Sequence, residues 1–296
     1  MMHCISYNYP EHKYRADPCE VPSLSQSIAK ILVHRSERHA RDAHPRLGGK
    51  TFWMTHAMDV GTICHALMLG KPLPEVELIP FDDYKTKLAR ERRDEAIASG
   101  KIPLKNKEFG EQGSLVEAAG HIRAKLANMG VAFDPEHCEV AMFWSKNGAQ
   151  CKARVDNVKG ARVIDLKFTA CAHPDFIDRQ VRDLGYDIQH AAYTEAVREL
   201  VAVDNCDSAD EFALYFCETV EPYCVTRAVM SPESAMIGKL KWAYAQTRWA
   251  ECLQSGKWDE YLPPGSTHVV QAKPWDIERA VARFGGEPLP KGESFL

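Results

Sequence analysis

Residues 151–168 read CKARVDNVKGARVIDLKF, two alternating runs either side of Lys159-Gly160. Alternation over short runs with a glycine-containing break predicts a pair of strands joined as a hairpin. With Lys159 and Gly160 as the turn, Asp156 falls opposite Val163, and Asp156, Val163, Asp165 and Lys167 share one face. Asp165 is then the diagonal neighbour of Asp156, about 7–8 Å away. Carboxylates reaching inward from that separation can hold a hard cation between them. Lys167, further along the same face, is placed to orient or deprotonate a water. The opposite face of the second run is apolar, with Ile164, Leu166 and Phe168. Strands disfavour Asp, so this grouping is unusual as packing alone. Taken by itself, a D-x-K pair on a strand is more commonly a solvated face with a weak surface ion pair.

Outward from the hairpin, residues 139–144 (EVAMFW) read as a strand ending at an Asn147-Gly148 turn. Residues 175–200 read as helix broken near Gly185, 211–217 and 223–230 as strands, and Ser231-Pro232 as the start of a helix to about residue 254. Upstream, Ser25 precedes Ile28, Ile31 and Leu32 at helical spacing and suits an N-cap. A second helix is expected over 55–69, with Met58, Gly61, His65 and Leu69 on one stripe and Pro72 and Pro74 beyond it. Two more helices are expected over 82–99 and 112–129. Helices flanking a strand-rich centre predict an α/β (α+β) fold with a mixed sheet. The expected organisation is an extension over 1–22, a main domain over 23–262 and a loop-rich tail over 263–296, where Pro263, Pro264, Pro288 and Pro290 fall.

Composition narrows the classes. The 296 residues are 45% hydrophobic and 26% charged, which excludes a disordered or collagenous chain. Lys plus Arg number 37 against 41 Asp plus Glu, a net charge of −4, so a polybasic protein is excluded while a local basic patch is not. No run of about 18 apolar residues predicts a membrane span. The opening MMHCISYNYPEHKYR has no apolar core of a secretory signal, so a cytoplasmic location is expected. The 10 cysteines form no C-x-x-C pair and are read as reduced thiols. Cys217, Cys224 and Cys252 lack the tight run of a cluster site, so neither an iron–sulfur cluster nor a zinc site is expected.

Asp156 followed by Asp165-Leu166-Lys167 on the next strand resembles the PDDEXK nuclease core, with Asp in place of the usual Glu before the lysine. Gly61-Thr-Ile-Cys-His65 resembles the upstream G-x-x-x-H helix motif of the RecB-like branch, and Gln189-His-Ala-Ala-Tyr193 its downstream Q-x-x-x-Y motif. The motifs stand in that branch's order, and the segments SLSQSIAKIL and MDVGTICHALMLG are most similar to the RecE-type exonuclease domain of prophages. The resemblance spans about residues 23–230 and implies a restriction-endonuclease-like core. It implies a Mg²⁺-dependent site in which Asp156 bridges two ions, Asp165 and the Leu166 carbonyl hold one, and His65 holds the other. Imidazole suits Mn²⁺ better than Mg²⁺, so Mn²⁺ is an alternative. It also implies that Lys167 positions the attacking water while Gln189 and Tyr193, one turn apart on a helix face, brace Lys167 and the DNA backbone. Read without the motif, His65 suits a core histidine, and Gln189 and Tyr193 a face packed on the sheet. Glu139 is equally an added ligand or a solvated strand-end carboxylate. The shorter Asp165 draws the metal closer to the strand.

Phosphate contacts are expected from clustered cations. The candidates are Lys30, Arg35, Arg38 and Arg41 on the first helix, and Lys85, Lys87, Arg90, Arg92 and Arg93 in a second set, followed by Lys101, Lys105 and Lys107. Charged helices more commonly present such residues to water. Ser23, Ser25 and Ser27 suit a 5′-phosphate at a helix start, and Ser25 suits a plain N-cap equally well. No base-reading motif is visible, so sequence-independent cutting is expected. The resemblance further implies a ring-forming trimer or tetramer acting on double-stranded DNA ends. Its product, a 3′ single strand for phage-type recombination, would pass to a single-strand annealing protein. The rival readings are an endonuclease or nickase on the same core, and a non-catalytic DNA-binding assembly subunit.

Overall fold

The Asn147-Gly148 pair takes left-handed backbone angles, φ +47° and +79°. This tight turn folds the chain's longest strands back on each other. The computed structural model describes residues 3–7, 9–49, 56–105, 108, 114–159, 162–201 and 212–286. In chain order the elements are β1 (Cys4–Ser6), α1 (Glu11–Arg15), β2 (Leu24–Ser25), α2 (Gln26–His34), α3 (Glu37–Ala43), α4 (His56–Leu69) and β3 (Val76–Ile79). There follow α5 (Lys87–Ala98), β4 (Ile102–Lys105), α6 (Leu115–Asn128), β5 (Cys138–Lys146), β6 (Ala149–Lys159) and β7 (Arg162–Thr169). The last are α7 (Pro174–Leu184), α8 (Tyr186–Leu200), β8 (Phe212–Glu218), β9 (Val225–Ala228), α9 (Pro232–Ser255) and α10 (Pro274–Phe284).

Among the described residues the main sheet has 7 strands in the order β1-β5-β6-β7-β8-β9, with β2 added beside β6. β7 and β8 pair in parallel and β2 and β6 pair in parallel, while the other neighbours are antiparallel, so the sheet is mixed as the sequence predicts. Alternation along the strands makes two apolar faces. Val163, Leu214 and Phe216 pack with Ile28, Ile188 and Trp242 of α2, α8 and α9. Ile164, Leu166 and Tyr215 pack with Met68 and Ile122 of α4 and α6. A mixed sheet covered by helices on both faces is consistent with a PDDEXK-like, restriction-endonuclease-like core. β3 and β4 form a small separate sheet.

Two glycines shape the face that carries α8. Gly185, at φ +70°, separates α7 from α8 and lets α8 begin at Tyr186 in a new direction. A Cβ on Gly238 would stand 2.2 Å from the Asp187 carbonyl oxygen, so only glycine lets α9 pass this close to α8.

Several expectations change. The β6–β7 register pairs Lys159 with Arg162, Val158 with Val163 and Asn157 with Ile164, so each β6 residue meets a β7 residue two places later than a Lys159-Gly160 turn would give. Asp156 lies one residue beyond the last β6–β7 pair and so does not face Val163, which pairs with Val158. The first helix stops at His34, because Arg35 adopts φ −127° and ψ −106°, and Arg38 and Arg41 lie on α3. The charged helix expected from residue 82 begins at Lys87, where the Thr86 hydroxyl accepts the Ala89 N–H. Cys4–Ser6 joins the sheet edge by pairing with β5, where the sequence shows no clear period. The main unit runs over 1–260 and a second over 261–296. The second unit, read from its prolines as loop, carries the amphipathic α10, which starts at Pro274 as proline at a first helical turn allows. Among the described residues, no helix is long and apolar enough to cross a membrane.

Candidate active site

The site lies where β6 loses its neighbour. β7 pairs with β6 only over Asn157–Lys159, and β2 pairs only at Cys151 and Lys152. The stretch 153–156 between them has neither strand beside it, and side chains take over. The Tyr193 hydroxyl donates to the Arg154 carbonyl at 2.8 Å, and the Leu166 N–H donates to Asp156 Oδ2 at 2.7 Å. Asp156 therefore sits in the wedge between diverging strands, held by the backbone of the strand that left.

Around it gather residues from several elements. His65 of α4 places Nδ1 3.4 Å from Asp156 Oδ2, and its ring meets Phe168 edge-on with centroids 5.0 Å apart. The Lys167 ammonium is ion-paired with Asp165, as their shared face predicts. Gln189 of α8 donates to Asp165 Oδ1 at 2.7 Å. Gln189 and Tyr193 thus reach Asp165 and the β6 backbone, where the resemblance had the two of them bracing Lys167 and the DNA backbone. The residue at Lys167 is Tyr186, with the ammonium 4.5 Å from its ring centroid. Sequence reasoning missed Tyr186, although Tyr186, Gln189 and Tyr193 stand at i, i+3 and i+7 on one helix face. It also missed Arg154, which alternation places on the face of Asp156. Arg154 is ion-paired with Glu139, which holds a left-handed φ of +58°.

Burial sets the electrostatics. Asp165 is only 2% exposed. Burial pushes the Asp156 carboxyl up to about 7, with the Lys167 charge and the Leu166 N–H acting against it. Burial pushes Asp165 up to about 6, again opposed by Lys167. Burial also works against a charged Lys167, but Asp165, Tyr186 and Asp156 outweigh it and hold the ammonium above its usual range. His65 is pushed down to about 4 by burial, so its ring is neutral at neutral pH.

Among the described residues, no group of three or more His, Cys, Asp or Glu side chains is arranged to hold a metal ion. The expected set of His65, Asp156, Asp165 and Leu166 is therefore not gathered as a cage. The reason is local: Lys167 stands against Asp165, and the Leu166 N–H occupies Asp156 Oδ2. Yet the chemistry suits a hard cation. Asp165 is buried with one ammonium against it, Asp156 beside it is mostly covered, and His65 Nδ1 is buried without a hydrogen bond. Mg²⁺ commonly takes only one or two carboxylates and keeps several waters, so a three-residue cage is not required of it.

The site opens into a groove of about 1150 Å³ whose lining includes Tyr9, Ser25, His65, Glu139, Arg154 and Asp156. Ser25 caps α2, accepting the Ile28 N–H at 3.4 Å, and its Oγ lies 2.9 Å from Ser27 Oγ. Arg35 ends α2, and Arg38 faces Asp42 at 3.7 Å; neither lines the groove. Lys87, Arg93, Lys101 and Lys105 pair with Glu91, Asp94, Glu77 and Glu108, as charged surface elements commonly do, and Lys107 lies outside the described residues.

Comparison with known proteins follows the same line. A family model described as a PDDEXK-like domain of unknown function (DUF3799) matches residues 25–258. The crystal structure of a putative exonuclease from Eubacterium rectale superposes with a TM-score of 0.50 at 16% identity, covering 94% of this chain and 98% of that one. At that identity the likeness shows the fold alone. No curated protein matches the sequence.

Proposed function

The chain belongs to this PDDEXK-like domain family, and from that premise we propose that it is a divalent-metal-dependent DNA exonuclease of the RecE-like type. It removes the 5′-ended strand of linear duplex DNA and leaves a 3′ single strand. The observation that carries the reading is the meeting of Asp156, Asp165, Lys167 and His65 where β7 parts from β6. A restriction-endonuclease-like fold alone would not require it, and an acidic pair beside a lysine is what phosphodiester hydrolysis needs.

Asp156 and Asp165 would hold Mg²⁺ or Mn²⁺, with His65 and the Leu166 carbonyl as further ligands. Such an ion supplies an activated water and support for charge on the leaving oxygen. The chain's own residues do the rest. Lys167, kept as an ammonium, would donate a hydrogen bond to the attacking water and hold it in place. Tyr186 keeps that ammonium over its ring, a cation–π contact worth about 0.5–2 kcal/mol. Gln189 fixes one oxygen of Asp165 and so aims the other. Tyr193 pins the β6 backbone, and neutral His65 keeps a lone pair for the ion or for an oxygen of the scissile phosphate. A ring of identical subunits, a single-strand annealing partner and action in the cytoplasm belong to the same reading.

The test is digestion of a linear duplex labelled at one 5′ end, with Mg²⁺ and with EDTA, beside covalently closed circles. Release of short labelled products from linear DNA in Mg²⁺ alone supports the reading. Cutting of closed circles overturns the exonuclease claim in favour of an endonuclease. A protein that binds DNA but cleaves nothing with Mg²⁺ or Mn²⁺ supports the assembly-subunit reading.

A further inference from the structure

The groove has an aromatic wall that the proposed chemistry does not use. Tyr7, Tyr9 and Tyr14, all from the start of the chain, line it together with Arg154 and Asp156. Their rings are braced from behind. Tyr9 and Tyr14 meet Phe143 of β5 with centroids 5.2 and 6.1 Å apart, and Tyr7 meets His137 at 5.7 Å. The cations nearby are already engaged. Arg15 pairs with Glu11 at 2.6 Å, and Arg154 pairs with Glu139. Lys152 donates to the Tyr14 carbonyl at 2.8 Å and faces Asp17 at 3.5 Å, and Lys71 donates to the Pro135 carbonyl at 2.8 Å. Lys152 also stands over the Tyr14 ring, 4.8 Å from its centroid, so this wall offers the Tyr7 and Tyr9 rings in place of free positive charge.

A phosphate backbone is gripped by cations. Ring stacking reads bases, and only unpaired bases present their faces. We propose that the tyrosine wall is a stacking platform for the unpaired bases of single-stranded DNA, leading one strand toward Asp156. The proposal rests on the nuclease reading for what becomes of that strand. It adds that the strand arrives unpaired and is held by its bases.

The test is binding of a fluorescein-labelled oligothymidine and of a blunt hairpin duplex to the full chain in EDTA, across a salt series. Tyr7→Ala and Tyr9→Ala are compared with Tyr7→Phe and Tyr9→Phe, with melting curves run to show that each variant folds. Stacking by each base predicts that the alanine variants bind the single strand about fivefold to a hundredfold more weakly. The phenylalanine variants stay within about twofold, since the ring is kept. The salt dependence is unchanged, because no phosphate contact is lost. Alanine variants that bind like the parent overturn the platform. So does an equal loss on blunt duplex, or a shallower salt slope. Digestion is scored separately: active protein with tyrosine-independent binding refutes the platform alone. Tyrosine-dependent binding by a protein that never cleaves refutes the nuclease reading and leaves the platform standing.

Discussion

One strand, β6, serves two buried acidic clusters that are built in opposite ways. At its start, Lys152 faces Asp17, which also accepts from the Ser23 N–H at 3.0 Å and the Ser23 hydroxyl at 2.6 Å. His44 Nε2 stands 3.3 Å from Asp17, and Arg46 reaches it at 3.5 Å. Burial alone would raise the Asp17 carboxyl. The hydrogen bonds of His44 and Ser23 and the charge of Lys152 overcome it and hold Asp17 well below the usual carboxylate range. Four residues further along β6, the Asp156 side chain is 14% exposed against 0% for Asp17, yet there burial prevails and raises the carboxyl, as it does at Asp165. Asp17 has donors for both oxygens and two cations beside it, whereas Asp156 and Asp165 accept from the Leu166 N–H and Gln189 and have the single charge of Lys167 between them. The Asp17 cluster is closed by the chain's own groups; the other is short of positive charge, as a site awaiting a cation should be.

The sharpest way to break this contrast is to neutralise each acid in turn. Asp165→Asn is expected to cut Mg²⁺-dependent digestion by about a thousandfold or more. Lost support of several kcal/mol in the transition state has that size. Its melting temperature should hold or rise, because the fold raises the Asp165 carboxyl to about 6, so its ionisation costs stability at neutral pH even with Lys167 beside it. Asp17→Ala should do the reverse. It leaves Lys152 and Arg46 with backbone carbonyls but without their carboxylate, at a cost of about 3–5 kcal/mol in stability. Digestion measured well below the melting point should persist. Denaturant melts and initial digestion rates of both variants check the pair. An Asp165→Asn protein that is as unstable as Asp17→Ala would make the two clusters alike.

The sequence made the second cluster far more legible than the first. Alternation alone put Asp165 and Lys167 on one face and Ile164 and Leu166 on the other, and the structure keeps both faces. The i, i+4 spacing set Gln189 and Tyr193 on one helix face, although their partners differ from those expected. What pattern did not reveal was set by long-range contacts. The exact β6–β7 register depends on where the strands part, and no local signal marks that point. Asp17 draws its partners from residues 23, 44, 46 and 152, so nothing in its neighbourhood announces a buried charge. The strand at Cys4–Ser6 is too short to show a period and exists through its pairing with β5. Tyr186 escaped notice because the resemblance begins its motif at Gln189, one turn later.

A smaller effect sharpens the same contrast. If the charge deficit at Asp156 and Asp165 is filled by a divalent ion, adding Mg²⁺ or Mn²⁺ should stabilise the fold. Binding to the native state contributes RT ln(1 + [L]/Kd), about 1.4 kcal/mol at tenfold Kd. Asp17→Asn should keep this metal-induced rise in melting temperature and Asp165→Asn should lose it. A rise that survives Asp165→Asn would put the metal elsewhere.

The smallest expected effect is read as a slope. The folded Asp17 carboxyl has its pKa held below the unfolded value of about 3.9. In acid, the unfolded chain therefore takes up this proton before the folded chain does. Stability contributed by Asp17 is complete above the unfolded pKa and is lost as pH falls toward the folded one. Over that window a single group changes the unfolding free energy by at most about 1.36 kcal/mol per pH unit. Asp17→Asn lacks the proton and should show a shallower decline between about pH 4 and 2 than the parent. Urea melts across that range measure the difference. If the two slopes coincide, Asp17 is not held ionised by its partners, and the closed cluster would be as short of compensation as the open one.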